Sequence, residues 1–431
     1  MESNEASEWA KLDNAAKIFP PTSNHQDTKV FRCACRLKED IKPEFLQQAV
    51  DMAIIDFPLY KSVIRKGLFW YYFEQSSIMP IVKKEEKSPC SVLYRENEKN
   101  LLFEVTYYNN RINLEVYHAL TDAVGAVNFL KHIIYIYMKF IKPGLSIFEL
   151  EEPIKTASLK IDDGFAKNYS NSKGKKNPSL GNAYKVRNKQ IEGQVLKVIN
   201  GVASTNEILK VAHNYNATIS VYLTALLIYS IGKSMPDKEK KRLVVISVPV
   251  NLRPYFKSTS MRNFFSVIHV PYNIDKEGRL LDDDDLKKII QYVKEFFNKE
   301  LKTEKFQLRL NRLVSIEHNY LTRIVPLPLK KPILKIAHSM INKEVTSSLS
   351  NVGKIHVEKE LEEYIEGFDM CVSTREVQIC ICSFLDEISI SFTSPFIVSS
   401  IEKHFFRELT SRGVEVKIST QNNWSRNEIQ S

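Results

Sequence analysis

Between Leu101 and Ile141 two β-rich runs lead directly into a long apolar run, and this order constrains the fold more than any other stretch of the chain. Leu101 to Tyr108 and Ile112 to Tyr117 are dense in aromatic and β-branched residues. The Asn109-Asn110-Arg111 between them is hairpin chemistry, because asparagine tolerates the backbone of a tight turn. Asp122 to Ile141 then has the length of a helix and is apolar on most of its sides, so the pattern predicts a helix buried in a core.

The same alternation continues on both sides. Val30 to Leu37 predicts a strand, Ile41 to Phe57 a helix with Pro43 in its first turn and Pro58 stopping it, and Gly67 to Phe73 an aromatic strand. In the second half, Thr205 to Asn214 and Ser220 to Ile231 predict helices, and Leu243 to Val250 and Ser266 to Tyr272 predict strands. One long amphipathic helix is expected from Asp283 to about Glu317, its acidic start suited to the helix dipole. Gln378 to Phe384 and Ile388 to Phe392 read as paired strands, and Ser399 to Leu409 as the last helix. Interleaved strands and helices favour an α/β class, an α+β sandwich, over an all-helical one. Residues 158–189 break the rhythm with a polar, turn-rich, lysine-bearing run and are expected to be an exposed linker or loop between halves 1–157 and 190–431.

A chain of 431 residues that is 43% hydrophobic has material for two to three domains, or two halves around one large core, and is not disordered. The longest uncharged apolar stretch, Ala217 to Gly232, is shorter than a membrane span requires, so no integral membrane segment is expected. The acidic start at Glu2 and Glu5, with no apolar run after it, is unlike a signal peptide. Cys33 and Cys35, and Cys380 and Cys382, have a spacing that places each pair on one face of a strand. With Cys90 and Cys371 they are expected to be reduced structural thiols in a cytoplasmic protein. No metal-ligand spacing and no Walker-type loop occurs, so neither metal nor phosphate-loop chemistry is expected. The net charge of +10 admits nucleic acid, an anionic membrane or a phosphate-bearing small molecule as partner. Nucleic acid is disfavoured, because no aromatic residues interleave a basic stripe.

One of the nine histidines stands out. His118 falls where the second hairpin strand ends, and Asp122 where the next helix begins. A neutral imidazole at a strand end is a natural general base near neutral pH. The plainer reading is that Asp122 caps the helix and His118 is an ordinary strand-end residue.

Tyr117-His118-Ala119-Leu120-Thr121-Asp122, with Gly125, resembles the HxxxD segment of the chloramphenicol acetyltransferase-like superfamily, which includes condensation domains and alcohol O-acetyltransferase-like proteins. Val248-Pro249-Val250-Asn251-Leu252-Arg253-Pro254 followed by Asn263-Phe264-Phe265-Ser266, then Ser350-Asn351-Val352-Gly353, then Ile390 to Ser394 with Glu402, resemble further segments of that superfamily in order. Trp9 to Ala16 is most similar to the alcohol O-acetyltransferase-like branch. The resemblance implies two acyltransferase-like subdomains packed around a central tunnel. It implies His118 as general base, Asp122 as its structural support, Arg253 as the ion-pair partner of Asp122, and Asn351 or Ser350 as oxyanion donor. It implies acyl-CoA as co-substrate, no bound cofactor, and an alcohol or amine acceptor. A carrier-protein thioester is the alternative donor, and a non-catalytic binding protein on the same fold is the alternative function. Two positions depart from the superfamily pattern: Tyr117 stands where a second histidine is common, and Ala123 where glycine is usual.

Lys160 to Lys189 carries a net charge of +6 and Leu286 to Lys335 one of +8, so the basic balance lies in two stretches. One of them is expected to flank the donor mouth and attract the CoA phosphates. Phe69 to Phe73 reads as a core strand, with the lining of an acceptor pocket as the alternative, and His213, His269 and His356 read as structural.

Overall fold

Among the described residues three sheets carry the fold, of five, seven and three strands. The computed structural model describes residues 9–144, 163–170, 179–192, 195–274 and 281–420. Of the expected linker, residues 158–162 and 171–178 lie outside the described residues.

The first half opens with β1 (Trp9–Lys11), a short helix α1 (Phe19–Thr22), β2 (Val30–Leu37) and α2 (Pro43–Asp56). Strands β3 (Ser62–Lys66), β4 (Tyr71–Gln75), β5 (Lys83–Lys84), β6 (Phe103–Tyr108) and β7 (Arg111–Tyr117) follow, and then α3 (Ala123–Ile141). Asn109 sits in the left-handed region at φ 49°, as the hairpin between β6 and β7 requires. The buried residues of α3 include Ala126, Phe129, Leu130, Ile133, Ile134 and Tyr137, so the helix lies within the core as its all-round apolarity predicts. It is also the one helix among the described residues long and apolar enough to cross a membrane, and 67% of that apolar window is buried inside the protein. The aromatic run starts its strand only at Tyr71, because Gly67 N–H bonds Trp70 O and closes a turn first.

The second half contains β8 (Lys197–Ser204), β9 (Leu243–Asn251), β10 (Phe265–Asn273), β11 (Ser347–Lys354), β12 (Ile365–Val372), β13 (Gln378–Phe384), β14 (Glu387–Ser394) and β15 (Val416–Thr420). The seven-stranded sheet runs β10-β9-β11-β13-β14-β8-β15. The five-stranded sheet runs β12-β2-β7-β6-β5, so a strand from late in the chain pairs antiparallel with β2 of the first half. That strand stitches the two sheets together: Asp369 on β12 accepts from Asn200 Nδ2 at 2.7 Å and Ser389 Oγ at 2.9 Å, both on the seven-stranded sheet.

Two hydrophobic cores result, one around β2, β7, α2 and α3, the other around helix Ile219–Ser234 and the seven-stranded sheet. All six cysteines are buried and free. The helix expected from Asp283 to about Glu317 is two helices, Asp283–Glu300 and Thr303–His318. Leu301 and Lys302 leave helical geometry between them, and the break lets Phe306, Leu310 and Val314 enter the core beside Ile290 and Val293. The apolar phase shifts across the break, since Phe297 and Phe306 are nine residues apart, but neither Leu301 nor Lys302 is a proline or glycine that would mark a stop in the sequence.

Candidate active site

His118 lies just past the end of β7, where the first-half sheet meets the second-half sheet. Its backbone N–H continues the strand pairing by bonding Lys29 O at 2.8 Å. The ring is stacked on Phe19 of α1 with centroids 4.8 Å apart, and edge-on to Phe31 of β2 at 5.0 Å. From the other half, Phe265 of β10 closes on it at 5.6 Å. The side chain keeps partial exposure amid these aromatic walls.

Asn263 holds the ring from the second half. Its Oδ1 lies 3.1 Å from His118 Nδ1. Its Nδ2 donates to His118 O at 3.0 Å, Asp13 Oδ2 at 3.2 Å and Ala119 O at 3.4 Å. Three acceptors around Nδ2 determine which way the amide points, so the carbonyl oxygen faces the ring. Nδ1 therefore carries the proton and Nε2 is left with its lone pair. Burial pushes the imidazole below its ordinary value of 6.5, against the opposing pull of Asp122 and Asn263, so the neutral form prevails near neutral pH. Asp13, behind Asn263, is fully buried, and that burial pushes its carboxyl up to about 6 in spite of Arg262.

Asp122 is the N-cap of α3 and more. Its Oδ1 accepts from Gly125 N–H at 3.2 Å, the capping bond that the plainer reading expects. Arg253, two residues past β9 at the start of the short helix Arg253–Phe256, grips both oxygens, Nη1 to Oδ2 at 2.8 Å and Nη2 to Oδ1 at 3.0 Å. Phe264 N–H adds a fourth donor at 3.0 Å. The guanidinium is itself oriented by the carbonyls of Ser260 at 2.8 Å and Arg262 at 2.7 Å. The planar fork of arginine matches a carboxylate in this way and lysine does not.

Gly125 is required by close approach. A Cβ there would lie 2.0 Å from Thr121 Oγ1 and 2.4 Å from Met261 O. Ala123, the departure from the superfamily pattern, stands at the first helical position and packs against the first core.

Asn351 sits at a bulge in β11 and is held in place: Nδ2 donates to Ser220 Oγ at 2.9 Å, and Oδ1 accepts from Gly353 N–H at 2.9 Å. One amide hydrogen of Asn351 is thus committed to Ser220. Asn263 is the residue that sequence reasoning assigned no role. Its signal in the sequence is its place in the Asn263-Phe264-Phe265-Ser266 segment. Among the described residues no group of three or more His, Cys, Asp or Glu side chains is arranged to hold a metal.

No family model matches the sequence, and no curated protein matches it either. Solved structures do. TRI101 of Fusarium graminearum, complexed with coenzyme A and deoxynivalenol, superposes with a TM-score of 0.64 at 10% identity, covering 95% of this chain and 99% of that one. TRI3 trichothecene 15-O-acetyltransferase from Fusarium sporotrichioides gives 0.60 at 12% identity, covering 94% of each chain. The epimerization domain from the third module of tyrocidine synthetase B gives 0.56 at 12% identity, covering 94% of this chain and 97% of that one. The chain has the chloramphenicol acetyltransferase-like fold expected from its motifs.

Proposed function

We propose that the protein is an acyltransferase that moves an acyl group from a CoA thioester to an alcohol or amine acceptor by direct transfer. The observation that carries this reading is the His118–Asn263 pair, which leaves Nε2 as the ring's proton acceptor at the meeting of the two sheets. His118 Nε2 takes the proton of the acceptor O–H or N–H as the acceptor attacks the thioester carbonyl carbon. The tetrahedral oxyanion then collapses, the C–S bond breaks, and the proton passes from His118 to the departing CoA sulfur. General-base help of this kind contributes about 10²–10⁴-fold, with further gain from holding both substrates together. Asp122 and Arg253 act as positioning residues that keep the loop carrying His118 against the second half. Asn351 is the proposed oxyanion donor through its second amide hydrogen, its orientation already set by Ser220 and Gly353.

In the same reading residues 1–157 and 190–431 are the two acyltransferase-like halves, 158–189 is the linker, and α3 is a core helix of a cytoplasmic protein. A solved neighbour that holds coenzyme A on this fold supports the CoA donor, and a carrier-protein thioester is the competing reading. The test is release of free CoA from acetyl-CoA over a panel of alcohols and amines, with carrier-loaded thioesters as the competing donor. His118→Ala is expected to abolish transfer while leaving the fold intact. A His118→Ala protein that turns over at the full rate would overturn the assignment.

A further inference from the structure

The helix Leu327–Lys343 is amphipathic in the opposite sense to a core-facing helix. Its inner face is partly polar. Lys330 is buried, with Nζ 3.9 Å from the centroid of the Trp70 ring and bonded to Phe69 O at 3.0 Å. His338 faces Lys29, Nε2 to Nζ at 3.3 Å. The outer face carries Leu329, Ile333, Ile336 and Met340, each more than 60% exposed. Their spacing of four, three and four residues places them on one stripe. Leu68, 69% exposed, extends the stripe at the helix start, where Leu327 N–H bonds its carbonyl at 2.8 Å.

A solvated apolar stripe on an ordered helix marks a surface made for a partner. Charge decides which kind. From His318 to Lys343 there is no aspartate or glutamate, while Arg323, Lys330, Lys331, Lys335 and Lys343 are all cationic. Lys331 is paired with Glu96, whereas Arg323, Lys335 and Lys343 are exposed. A protein–protein interface depletes lysine and other charged residues at its core. An apolar stripe with cations of one sign beside it is the arrangement of helices that lie in a membrane interface, apolar residues entering the acyl boundary and lysines meeting anionic headgroups.

We propose that the helix Leu327–Lys343 docks the protein on an anionic bilayer surface, with Leu329, Ile333, Ile336 and Met340 entering the lipid interface. This inference is independent of the acyl-transfer reading. It is tested by flotation of the full chain with vesicles of phosphatidylcholine alone and of phosphatidylcholine containing about one third phosphatidylserine. Flotation with the anionic vesicles is expected, at least about tenfold stronger than with neutral ones and weakened by raising salt toward ~0.5 M. The triple variant Ile333→Ser, Ile336→Ser, Met340→Ser should lose at least about tenfold of that binding. Lys335→Glu with Lys343→Glu should lose binding to anionic vesicles. Circular-dichroism melts should match wild type in both, since the substituted side chains are exposed. Absence of flotation by the wild-type chain, or a triple variant that binds equally well, overturns the proposal. So does a concentration-dependent dimer, dispersed by the triple variant, in a protein that does not float, because a second copy would then cover the stripe.

Discussion

Asp122 and Arg253, 131 positions apart in sequence, are joined by two parallel hydrogen bonds of 2.8 and 3.0 Å. The pair joins the helix that follows the His118 loop to the short helix just past β9 in the other half. Both side chains are nearly buried, so neither charge can be left alone without penalty.

Breaking this pair is expected to destabilise the protein more than neutralising it on both sides. Arg253→Ala should cost about 3–5 kcal/mol in denaturant unfolding, because it strands a buried carboxylate. Arg253→Lys should recover only part of that, since one ammonium cannot serve both oxygens and the Ser260 and Arg262 carbonyls together. Equal stability of Arg253→Lys and wild type would show that the fork geometry does not matter.

Asn263 is expected to set the tautomer of His118. Asn263→Ala should lower kcat by about 10–100-fold with a much smaller change in KM, because Nδ1 and Nε2 then compete for the proton. Histidine ring ¹⁵N shifts should change from a single neutral tautomer to a mixture. A variant with wild-type kcat and an unchanged tautomer would remove Asn263 from the mechanism.

The pH profile should carry the signature of burial. The folded-state value of His118 lies below 6.5, so as pH falls the unfolded chain takes up its proton first. The stability contributed by the neutral ring is therefore present above 6.5 and lost as pH falls toward the depressed folded value. Relative to His118→Gln, wild type should lose stability in that window. The acid limb of kcat/KM should fall below 6.5, the ordinary histidine value. An acid limb above it would contradict the environment described for the ring.

Gly125→Ala is expected to be disruptive although alanine favours helices. Its Cβ would meet Thr121 Oγ1 at 2.0 Å and Met261 O at 2.4 Å, so the loop and the Met261 backbone must separate. Overpacking of this kind costs about 1–3 kcal/mol, read as a lowered melting temperature. Acyl transfer should fall with it, since Met261 is two residues from Asn263.

Asn351→Ala should reduce kcat by roughly 10²–10³-fold with KM little affected if the amide stabilises the oxyanion. An Asn351→Ala protein with only a stability defect would reassign the residue to holding Ser220 and the β11 bulge.

Regular elements with one buried face were legible from sequence. β2, β13 and the helix Thr205–Asn214 have the bounds their patterns predict. Strand alternation and helical periodicity record which face meets the core, and a burial boundary coincides with a pattern boundary. The short break at Leu301-Lys302 carries no proline or glycine to announce it, and only the change of buried face between Phe297 and Phe306 records it. Nor was the strand Ile365–Val372 recognisable as part of the first-half sheet, since register with β2 is a long-range choice. The helix Leu327–Lys343 carries Pro328 and an internal Pro332 and turns its apolar stripe to solvent, so neither propensity nor core burial announces it.

The sequence by itself determined the residue types of the site. It placed a histidine at a strand end, an acid able to cap the next helix, and an arginine after a later strand. Local order along the chain encodes these, because strand, turn and cap are decided within a few residues. Only the tertiary structure decided that Arg253 reaches Asp122, that Asn263 clamps both the ring and the carbonyl of His118, and that Asp13 stands behind it. Those contacts join positions more than 100 residues apart. They depend on two sheets packing at one seam, a long-range arrangement that no local pattern specifies.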